Sequence, residues 1–338
     1  MKRRLRLIFG LVISLLSLYY VLRVIDPSKL WETYRGAKYI YMLPALLLVF
    51  FTSWARAYRW RLLMHPNHDL PLPRLFSIVN IGYLFNNVLP AKVGEVVRGY
   101  LVGRLIPGGI GQAVSTLLVE RLLDVLTVVV LLLILIPFVA LPPWAARAGL
   151  VFGGISVGGL VGLLILGAFG QRGLDWVWRF VGRIPWVGHP KVRKALENLL
   201  EGLKVLTVGK LLPGILLWSA LIWLGYALFN YTFLVVFDMT YLPFAAAAFV
   251  LCATGFSMVV PSSPGAIGVF EWAAFQALSV YGVEQNLAIG YAFGLHAFTN
   301  LVLILLGLWG LRRESLSFSD VRGEALVEPP SAVESVDP

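Results

Sequence analysis

The chain has 338 residues, of which 59% are hydrophobic and only 14% charged, and its mean hydropathy is +0.81. These values exclude an ordinary soluble globular protein and indicate a membrane protein. The net charge of +10 does not call for a nucleic-acid partner, because basic residues beside a membrane can meet anionic lipid headgroups. A single cysteine, Cys252, excludes an intrachain disulfide and a multi-cysteine metal site, and we expect it to be a small packing residue.

Six apolar stretches are long enough to cross about 30 Å of hydrocarbon, which takes roughly 20 residues. They lie near 7–25, 40–60, 112–137, 148–169, 211–237 and 286–311. Their length and continuity favour helices over the strands of a β-barrel. The sequence therefore predicts an all-α polytopic membrane protein with about six spanning helices.

The distribution of lysine and arginine predicts the orientation. With the N-terminus inside, 18 basic residues fall on the cytoplasmic side, in 1–6, 56–74, 171–210 and 312–313, against 4 outside. Basic loops stay in the cytoplasm. We therefore expect a multi-pass protein of the cell inner (cytoplasmic) membrane with both termini cytoplasmic.

Two segments differ from the rest of the chain in composition. Within a transmembrane domain over 1–312, residues 171–210 interleave tryptophans with basic residues, which predicts an amphipathic cytoplasmic linker that rests on headgroups or senses lipids. Residues 313–338 are poorer in apolar residues and richer in acids, serines and prolines, which predicts a disordered cytoplasmic tail.

The stretch LFSIVNIGYLFNNVLP (75–90) is apolar but short, ends at Pro90, and is followed by a helical run from Gly94. This pattern predicts a re-entrant hairpin rather than a full span. Hydrocarbon tolerates a broken helix only where protein or a water-filled cavity encloses the freed backbone groups. We therefore expect an enclosed tip.

Charged residues follow this first tip in the run AKVGEVVRGYL. The backbone amides of the new helix, together with Lys92 and Arg98, would form an anion site. Glu95 and Arg98 are three residues apart and could instead neutralise each other. Asn86 and Asn87 could donate to a phosphate or bond to carbonyls freed at the tip.

A second stretch, MVVPSSPGAIGVFEWAAFQAL (258–278), repeats the spacing, because Gly265 follows Pro261 as Gly94 follows Pro90. Two such hairpins would divide the six spans into span, span, hairpin, span, twice, with opposite starting sides. This order predicts an inverted repeat with a transport site near the midplane. Two full crossings in each stretch would leave the termini on the same side, so only shortness and broken tips favour hairpins.

Ionisable residues within apolar stretches are costly and are normally paired or face a cavity. In VSTLLVERLLDVLTVVV, Glu120 and Asp124 are one turn apart on one helix face, and Arg121 can pair with Asp124. Two acids beside one base leave a negative charge, which Lys92, Arg98 or Arg56 could balance from another helix.

The second hairpin is less basic. Ser262 and Ser263 supply hydroxyls, Gly265 and Gly268 permit a close backbone approach, and Glu271 could bind a cation or carry a proton. The last apolar stretch places His296 and Asn300 on one face, where the histidine could be a packing residue or a proton relay.

These motifs resemble the flippase-like membrane domain of bacterial lysylphosphatidylglycerol synthases and of similar stand-alone proteins. The resemblance rests on SWARAYRWRLLM (53–64), NIGYLFNNVLPAKVGEVVRGYLVGR (80–104), STLLVERLLDVL (115–126) and VPSSPGAIGVFEWA (260–273). It implies a protein that moves lipids between leaflets. The positions it singles out are Arg56, Asn87, Pro90, Gly94, Glu95, Arg98, Glu120, Arg121, Asp124, Pro261, Gly265, Gly268 and Glu271.

The synthases carry a soluble aminoacyl-transfer domain after the membrane part, whereas this sequence continues only into a short tail. We therefore expect a lipid translocase rather than an enzyme, without cofactor, bound metal or nucleic-acid partner, acting on anionic membrane lipids. A homo-oligomer or a partner enzyme is compatible with this expectation. The sequence contains no GxxxxGK[ST] motif, so transport would be downhill, ion-coupled or partner-assisted.

Two alternatives remain open at this point. The first is an integral membrane enzyme acting on lipid headgroups, although the sequence contains no GxSxG or HExxH motif. The loop HPNHD (65–69) offers His65, His68 and Asp69 as metal ligands, but without the spacing of a closed metal site. A non-transporting membrane partner protein is the other alternative.

Overall fold

The computed structural model describes residues 15–21, 23, 25–64, 69–89, 92–139, 143–181, 193, 197, 210–258 and 263–326. All regular elements within these ranges are helical, and residues 15–21 form part of a helix that precedes the labelled ones. The labelled helices are α1 (Pro27–Arg35), α2 (Met42–Met64), α3 (Leu72–Val88), α4 (Val93–Gly103), α5 (Gly109–Leu135), α6 (Pro143–Val181), α7 (Leu212–Val236), α8 (Phe244–Ser257), α9 (Val269–Ser279), α10 (Gln285–Arg313) and α11 (Phe318–Leu326).

Three helices in the described part of the chain are long and apolar enough to cross a membrane: α2 with the 3₁₀ turn before it, α7 and α10. This confirms the all-α membrane class. Helix α5 has 27 residues but carries Glu120, Arg121 and Asp124, and α6 has 39 residues with a break at Gly170, whose φ is 52°. The first apolar stretch, 7–25, is described only in part. The number of six spans therefore stays a prediction.

Two pairs of helices are too short to cross the hydrocarbon core. Helices α3 and α4 have 17 and 11 residues, and α8 and α9 have 14 and 11. At 1.5 Å per residue these lengths are about 17 to 26 Å, below the roughly 30 Å of the core. We call residues 89–92 the first break and residues 258–268 the second break. Pro90 and Pro261 lie outside the described residues.

Both breaks contain left-handed backbone. Lys92 has a φ of 52° in the first break, and Gly265 and Gly268 have φ values of 65° and 91° in the second. Glycine adopts such angles without steric cost, as expected for tips that turn sharply. Lys92 adopts them although its side chain makes this region unfavourable.

The first pair enters the bundle from the end at which α10 finishes. Arg74, near the start of α3, pairs with Glu314 just beyond α10 at 3.1 Å. Further along, a Cβ at Gly307 would lie 2.7 Å from the carbonyl oxygen of Asn80, so the two backbones approach closely. Small residues allow such contacts between membrane helices. Helix α3 therefore runs antiparallel to α10 and ends near its middle.

The second pair enters from the opposite end. A short loop joins α9 to the start of α10, and the beginning of α9 lies beside the middle of α10, where Glu271 contacts His296 at 2.6 Å. In the second break, a Cβ at Gly265 would lie 3.7 Å from the carbonyl oxygen of Asn87 and 3.6 Å from Nδ2 of Asn300. The two breaks thus meet halfway along α10.

The C-terminal segment departs from the expected disorder over 313–338. Residues Phe318–Leu326 form α11, the ring of Phe318 stacks on Phe85 at 4.4 Å, and Val321 is buried. Apolar residues in an otherwise polar segment give this helix a packing face, which composition averaged over the tail conceals. Residues 327–338 lie outside the described residues.

The expected linker over 171–210 is described only in part. Helix α6 continues through its first residues to Val181, and Arg193 contacts Asp175 at 2.7 Å and Glu197 at 3.2 Å. The other residues from 182 to 209 lie outside the described part of the chain, so the linker and its contact with headgroups stay a prediction.

Candidate functional site

Two buried carboxylates of α5 form the centre of a charge network. Glu120 is 0% exposed and Asp124 is 5% exposed, one helical turn apart. From α2, Nη1 of Arg56 lies 3.0 Å from Glu120 Oε1 and 2.9 Å from Asp124 Oδ2. Nη2 of Arg59 lies 2.8 Å from Asp124 Oδ1. The i,i+3 spacing of the two arginines aims both at the same acidic face.

Helix α4 contributes a third buried cation. Nη2 of Arg98 lies 2.9 Å from Glu120 Oε2, and its guanidinium stacks over Trp60 at 4.3 Å. A Cβ at Gly82 would lie 2.5 Å from Cγ of Arg98, so only glycine leaves room for the arginine stem. The stacking and the charged hydrogen bond offset part of the hydration that the guanidinium loses on burial, and Nε of Arg98 has no partner among the described residues.

Polar side chains of α7 contribute further hydrogen bonds to Arg56 and Arg59, although Nε of Arg59 has no partner among the described residues. The hydroxyl of Tyr226 accepts a hydrogen bond from Nε of Arg56 at 2.6 Å. Oγ of Ser219 accepts one from Nη1 of Arg59 at 3.0 Å. Since a buried donor without a partner is costly, these contacts fix α7 against α2 in one arrangement.

Three further charged residues form the accessible edge of the network, which we call the rim: Lys92, Glu95 and Arg121. Nε of Arg121 lies 3.0 Å from Glu95 Oε1, with side chains 36% and 30% exposed. Arg121 also approaches Asp124 at 3.5 Å, which confirms their expected proximity. Lys92 is exposed and has no ion pair with any residue of the described chain.

The pairing corrects one expectation. Glu95 and Arg98 do not neutralise each other, because Glu95 contacts Arg121 and Arg98 contacts Glu120. As expected, Arg56 and Arg98 balance the acids of α5, whereas Lys92 does not reach them. Counted with Arg59, four guanidinium groups face three carboxylates in the network, which leaves one positive charge before Lys92 is added.

Arg59 is the member of the network that sequence reasoning missed. The signal was present in SWARAYRW, where Arg59 follows Arg56 by three residues inside an apolar stretch. The orientation prediction counted Arg56 and Arg59 among the cytoplasmic basic residues of 56–74, whereas the structure buries both of them in the network.

The first break differs in detail from the expected anion site. The backbone amide of Gly94 donates to Oδ1 of Asn86 at 2.8 Å, so one amide at the start of α4 is already occupied. A Cβ at Gly94 would lie 1.8 Å from the carbonyl oxygen of Gly82, which makes this glycine a close-packing residue between α3 and α4. Nδ2 of Asn87 is buried and has no partner among the described residues.

The second break carries a carboxylate and imidazole pair, Glu271 and His296, both nearly fully buried. Nδ1 of His296 lies 2.6 Å from Glu271 Oε1, and the other oxygen, Oε2, accepts the backbone N–H of Gly268 at 2.6 Å. The imidazole stacks on Phe270 at 4.2 Å. Nε2 of His296 has no partner among the described residues. Asn300 follows one turn later on α10.

The other residues considered as metal or binding sites show no such arrangement among the described residues. Asp69 pairs with Arg61 at 2.6 Å, and His65, His68 and Ser262 lie outside the described residues. The described residues contain no group of three His, Cys, Asp or Glu that could hold a metal ion. Cys252 is free and buried, as expected of a packing residue.

A groove of about 430 Å³ lies apart from the charge network. It is lined by Phe50, Phe51, Trp54, Leu72, Pro73, Phe76 and Arg313. Its lining is apolar apart from Arg313 at the end of α10, which suits lipid acyl chains.

Comparison with known proteins identifies the family. The family model described as the lysylphosphatidylglycerol synthase TM region matches residues 7–307, which is most of the chain. No curated protein and no solved structure matches it. The match spans both helix breaks and every residue of the charge network. The chain therefore belongs to the family of the lysylphosphatidylglycerol synthase transmembrane region.

Proposed function

We propose that the protein is a lipid translocase that moves a phospholipid or a lipid-linked anionic headgroup between leaflets. Family membership indicates a lipid-related membrane function. The observation that carries the proposal is the rim: exposed Lys92 and partly exposed Arg121 lie beside a broken helix pair, at the edge of a network with surplus positive charge. In this proposal the headgroup moves past the rim while the acyl chains stay in lipid.

The buried core of the network holds the helices together, and the rim receives the headgroup. Arg56, Arg59 and Arg98 each contact a buried carboxylate. A phosphate could displace these contacts only by leaving buried carboxylates unpaired, which is costly. Lys92 has no such competitor among the described residues, and Arg121 can exchange its contact with the partly exposed Glu95 for a phosphate.

The geometry of the two breaks supports a path. The helix pairs approach from opposite ends of the bundle and meet near Asn87, Gly265 and Asn300, where helical backbone is interrupted on both sides. Interrupted helices at matching positions of two repeats mark transport sites in membrane proteins. In the proposal both helix pairs are re-entrant. The protein lies in the cell inner membrane with both termini in the cytoplasm, and transport uses no nucleotide.

The test is lipid exchange in liposomes. The purified chain is reconstituted with fluorescently labelled phosphatidylglycerol, and the label that becomes accessible to a membrane-impermeant quencher is measured for the wild type, Lys92→Gln and the control Lys29→Gln. Lys29 is exposed on α1, away from the network. We expect Lys92→Gln to slow exchange about fivefold or more, since a charged hydrogen bond contributes about 1 kcal/mol or more. Equal rates for all three proteins would overturn the rim as the headgroup site.

One observation favours a second function, an enzyme acting on lipid headgroups. The Glu271–His296 pair has the arrangement of a general base, with a carboxylate orienting an imidazole whose Nε2 is free of described partners. Mass spectrometry of the liposome lipids after incubation separates the two functions, because a translocase returns every lipid at its original mass. A wild type that neither exchanges nor converts lipid would point to a non-transporting partner protein.

A further inference from the structure

Glu271 and His296 are the buried acidic and basic side chains of the described structure that lie outside the charge network. The two side chains are 2% and 3% exposed, and the distance of 2.6 Å between Nδ1 and Oε1 is a short hydrogen bond. Because an ionised carboxylate only accepts, Nδ1 carries the shared hydrogen. Nε2 is then a bare acceptor with no described partner.

The pair can hold one additional proton, at Nε2. Without it, a neutral imidazole and a carboxylate carry a net charge of −1 in a buried site. With it, an imidazolium and a carboxylate carry none. A histidine imidazole is chemically suited to this exchange, because each of its ring nitrogens can hold or release a hydrogen.

Charged groups on the neighbouring helices are engaged elsewhere. Helices α7 and α8 carry none, and α9 carries only Glu271. On α3, Arg74 pairs with Glu314; on α2, Arg56 and Arg59 belong to the charge network and Arg61 pairs with Asp69. The charged residues of α1 are exposed, and those of α10 lie in its last turn.

The neutral titratable side chains on these helices are Tyr34, Tyr58, Tyr83, Tyr226, Tyr231, Cys252 and Tyr291. Of these, Tyr291 donates to Asn230 and Tyr226 accepts from Arg56. No lysine or arginine of the described chain is therefore bonded to the carboxylate, so no fixed cation other than a protonated His296 neutralises it.

The pair is joined directly to the second break. Oε2 of Glu271 accepts the amide of Gly268, whose φ of 91° makes the turn into α9. One helical turn beyond His296, Asn300 lies near Gly265 in the same break: a Cβ at Gly265 would lie 3.6 Å from Nδ2 of Asn300 and 3.7 Å from the carbonyl oxygen of Asn87 in the first pair. A change in charge on the imidazole therefore acts, through the carboxylate, on the hydrogen bond that holds this turn.

We propose that the Glu271–His296 pair is a proton-binding site that couples proton movement to lipid translocation. The inference rests on the proposed function. Proton uptake at Nε2 makes His296 an imidazolium, which draws negative charge toward Oε1 of Glu271. The hydrogen bond from the Gly268 amide to Oε2 then weakens, and the second helix pair can move relative to α10. One proton moving with one singly charged anionic headgroup carries no net charge, so a pH difference alone can drive this transport.

The experiment uses the same liposomes with labelled phosphatidylglycerol, whose phosphate stays ionised at neutral pH, and an imposed pH difference of one unit. In the wild type we expect the label to accumulate in the leaflet on the alkaline side, by up to about tenfold at equilibrium for one proton per lipid. A proton ionophore that collapses the difference should return the label to an even distribution. His296→Gln should lose the accumulation. The control Thr299→Val, which changes a residue three positions further along α10, should keep it.

Each failure is distinguishable. A wild type that exchanges label at equal pH but distributes it evenly under the pH difference would overturn the proton site and leave translocation standing. Accumulation that persists in His296→Gln would exclude this pair as the site. A folded wild type without exchange at equal pH would overturn translocation itself. Should His296→Gln fail to fold, Glu271→Gln, which changes the other member of the pair, takes its place and should lose the accumulation; accumulation that persists in it would exclude the pair.

Discussion

In the charge network beside the first break, three buried arginines meet Glu120 and Asp124. Just after the second break, Glu271 meets one imidazole and one backbone amide. The first arrangement has more than one cation for each buried carboxylate, so removal of a single contact leaves others in place. The second has one unpaired nitrogen and no spare cation among the described residues. Carboxylate partners fix the buried cations beside the first break, whereas in our proposal the pair beside the second break changes its charge.

The sharpest way to break the first arrangement is Glu120→Gln. This substitution leaves Arg98 without its carboxylate and weakens the coordination of Arg56 and Arg59. We expect a loss of about 3 to 5 kcal/mol in the free energy of unfolding, because the guanidinium groups stay buried without compensation. The measurement is thermal or denaturant unfolding in detergent. The control Glu95→Gln, on the exposed rim, should lose far less, and equal losses would contradict the distinction between core and rim.

Gly94→Ala should be the next most damaging change. Its Cβ would lie 1.8 Å from the carbonyl oxygen of Gly82, so α3 and α4 must separate. Overpacking of this kind costs about 1 to 3 kcal/mol. The matched control is Gly162→Ala, where the added carbon meets no atom within 4 Å. If unfolding temperatures show both alanine variants to be equally stable, the close contact at the first break does not exist in solution.

A smaller effect is expected at α11. Phe318→Ala removes the stacking on Phe85, an aromatic contact that contributes about 0.5 to 1.5 kcal/mol beyond area burial. The tail should then detach more often, and trypsin should cut faster after Arg322 than in the wild type. Ser319→Ala, on an exposed neighbour, serves as control. Unchanged cleavage in Phe318→Ala would restore the expectation of a disordered tail.

The smallest effect concerns the cap of α1, outside the membrane-spanning helices. Hydrogen bonds from the side chain and backbone N–H of Ser28 lower the pKa of Asp26 below its ordinary value of 3.8. Because this pKa is lower in the folded than in the unfolded state, the ionised Asp26 stabilises the fold above pH 3.8. The stabilisation is lost as the pH falls through the pKa that Asp26 has in the folded state. The difference in unfolding temperature between the wild type and Asp26→Asn should therefore be constant from about pH 5 to 8 and shrink at lower pH. A difference that grows in acid would contradict the cap.

Sequence reasoning reached what lies along one helix. It identified the membrane class, the acids of α5 and the interrupted stretches around both breaks, because spacing within a helix decides which side chains share a face. For the partners of the acids it offered Lys92, Arg98 or Arg56, of which the structure places Arg56 and Arg98 on them. Whether the helix pairs are re-entrant in a bilayer, and whether they form an inverted repeat, stay predictions.

Contacts between separate helices were the part that could not be predicted. Glu95 was three residues from Arg98 but contacts Arg121 of another helix, and Glu271 and His296 were considered separately although they form one pair. Such partners depend on how α4 packs on α5 and α9 on α10, which the periodicity of a single segment does not fix. The helix α11 was hidden by its polar composition.

The central claim is that positive charge at position 92 receives an anionic headgroup, and restoring that charge chemically tests it directly. Cys252 is buried, so Lys92→Cys introduces an exposed thiol that reagents can modify selectively. We predict slow phosphatidylglycerol exchange for Lys92→Cys, recovery after modification with a cationic aminoethyl thiosulfonate, and no recovery with an anionic sulfonatoethyl reagent of similar size. Equal recovery with both reagents, or exchange that is insensitive to either, would contradict the claim.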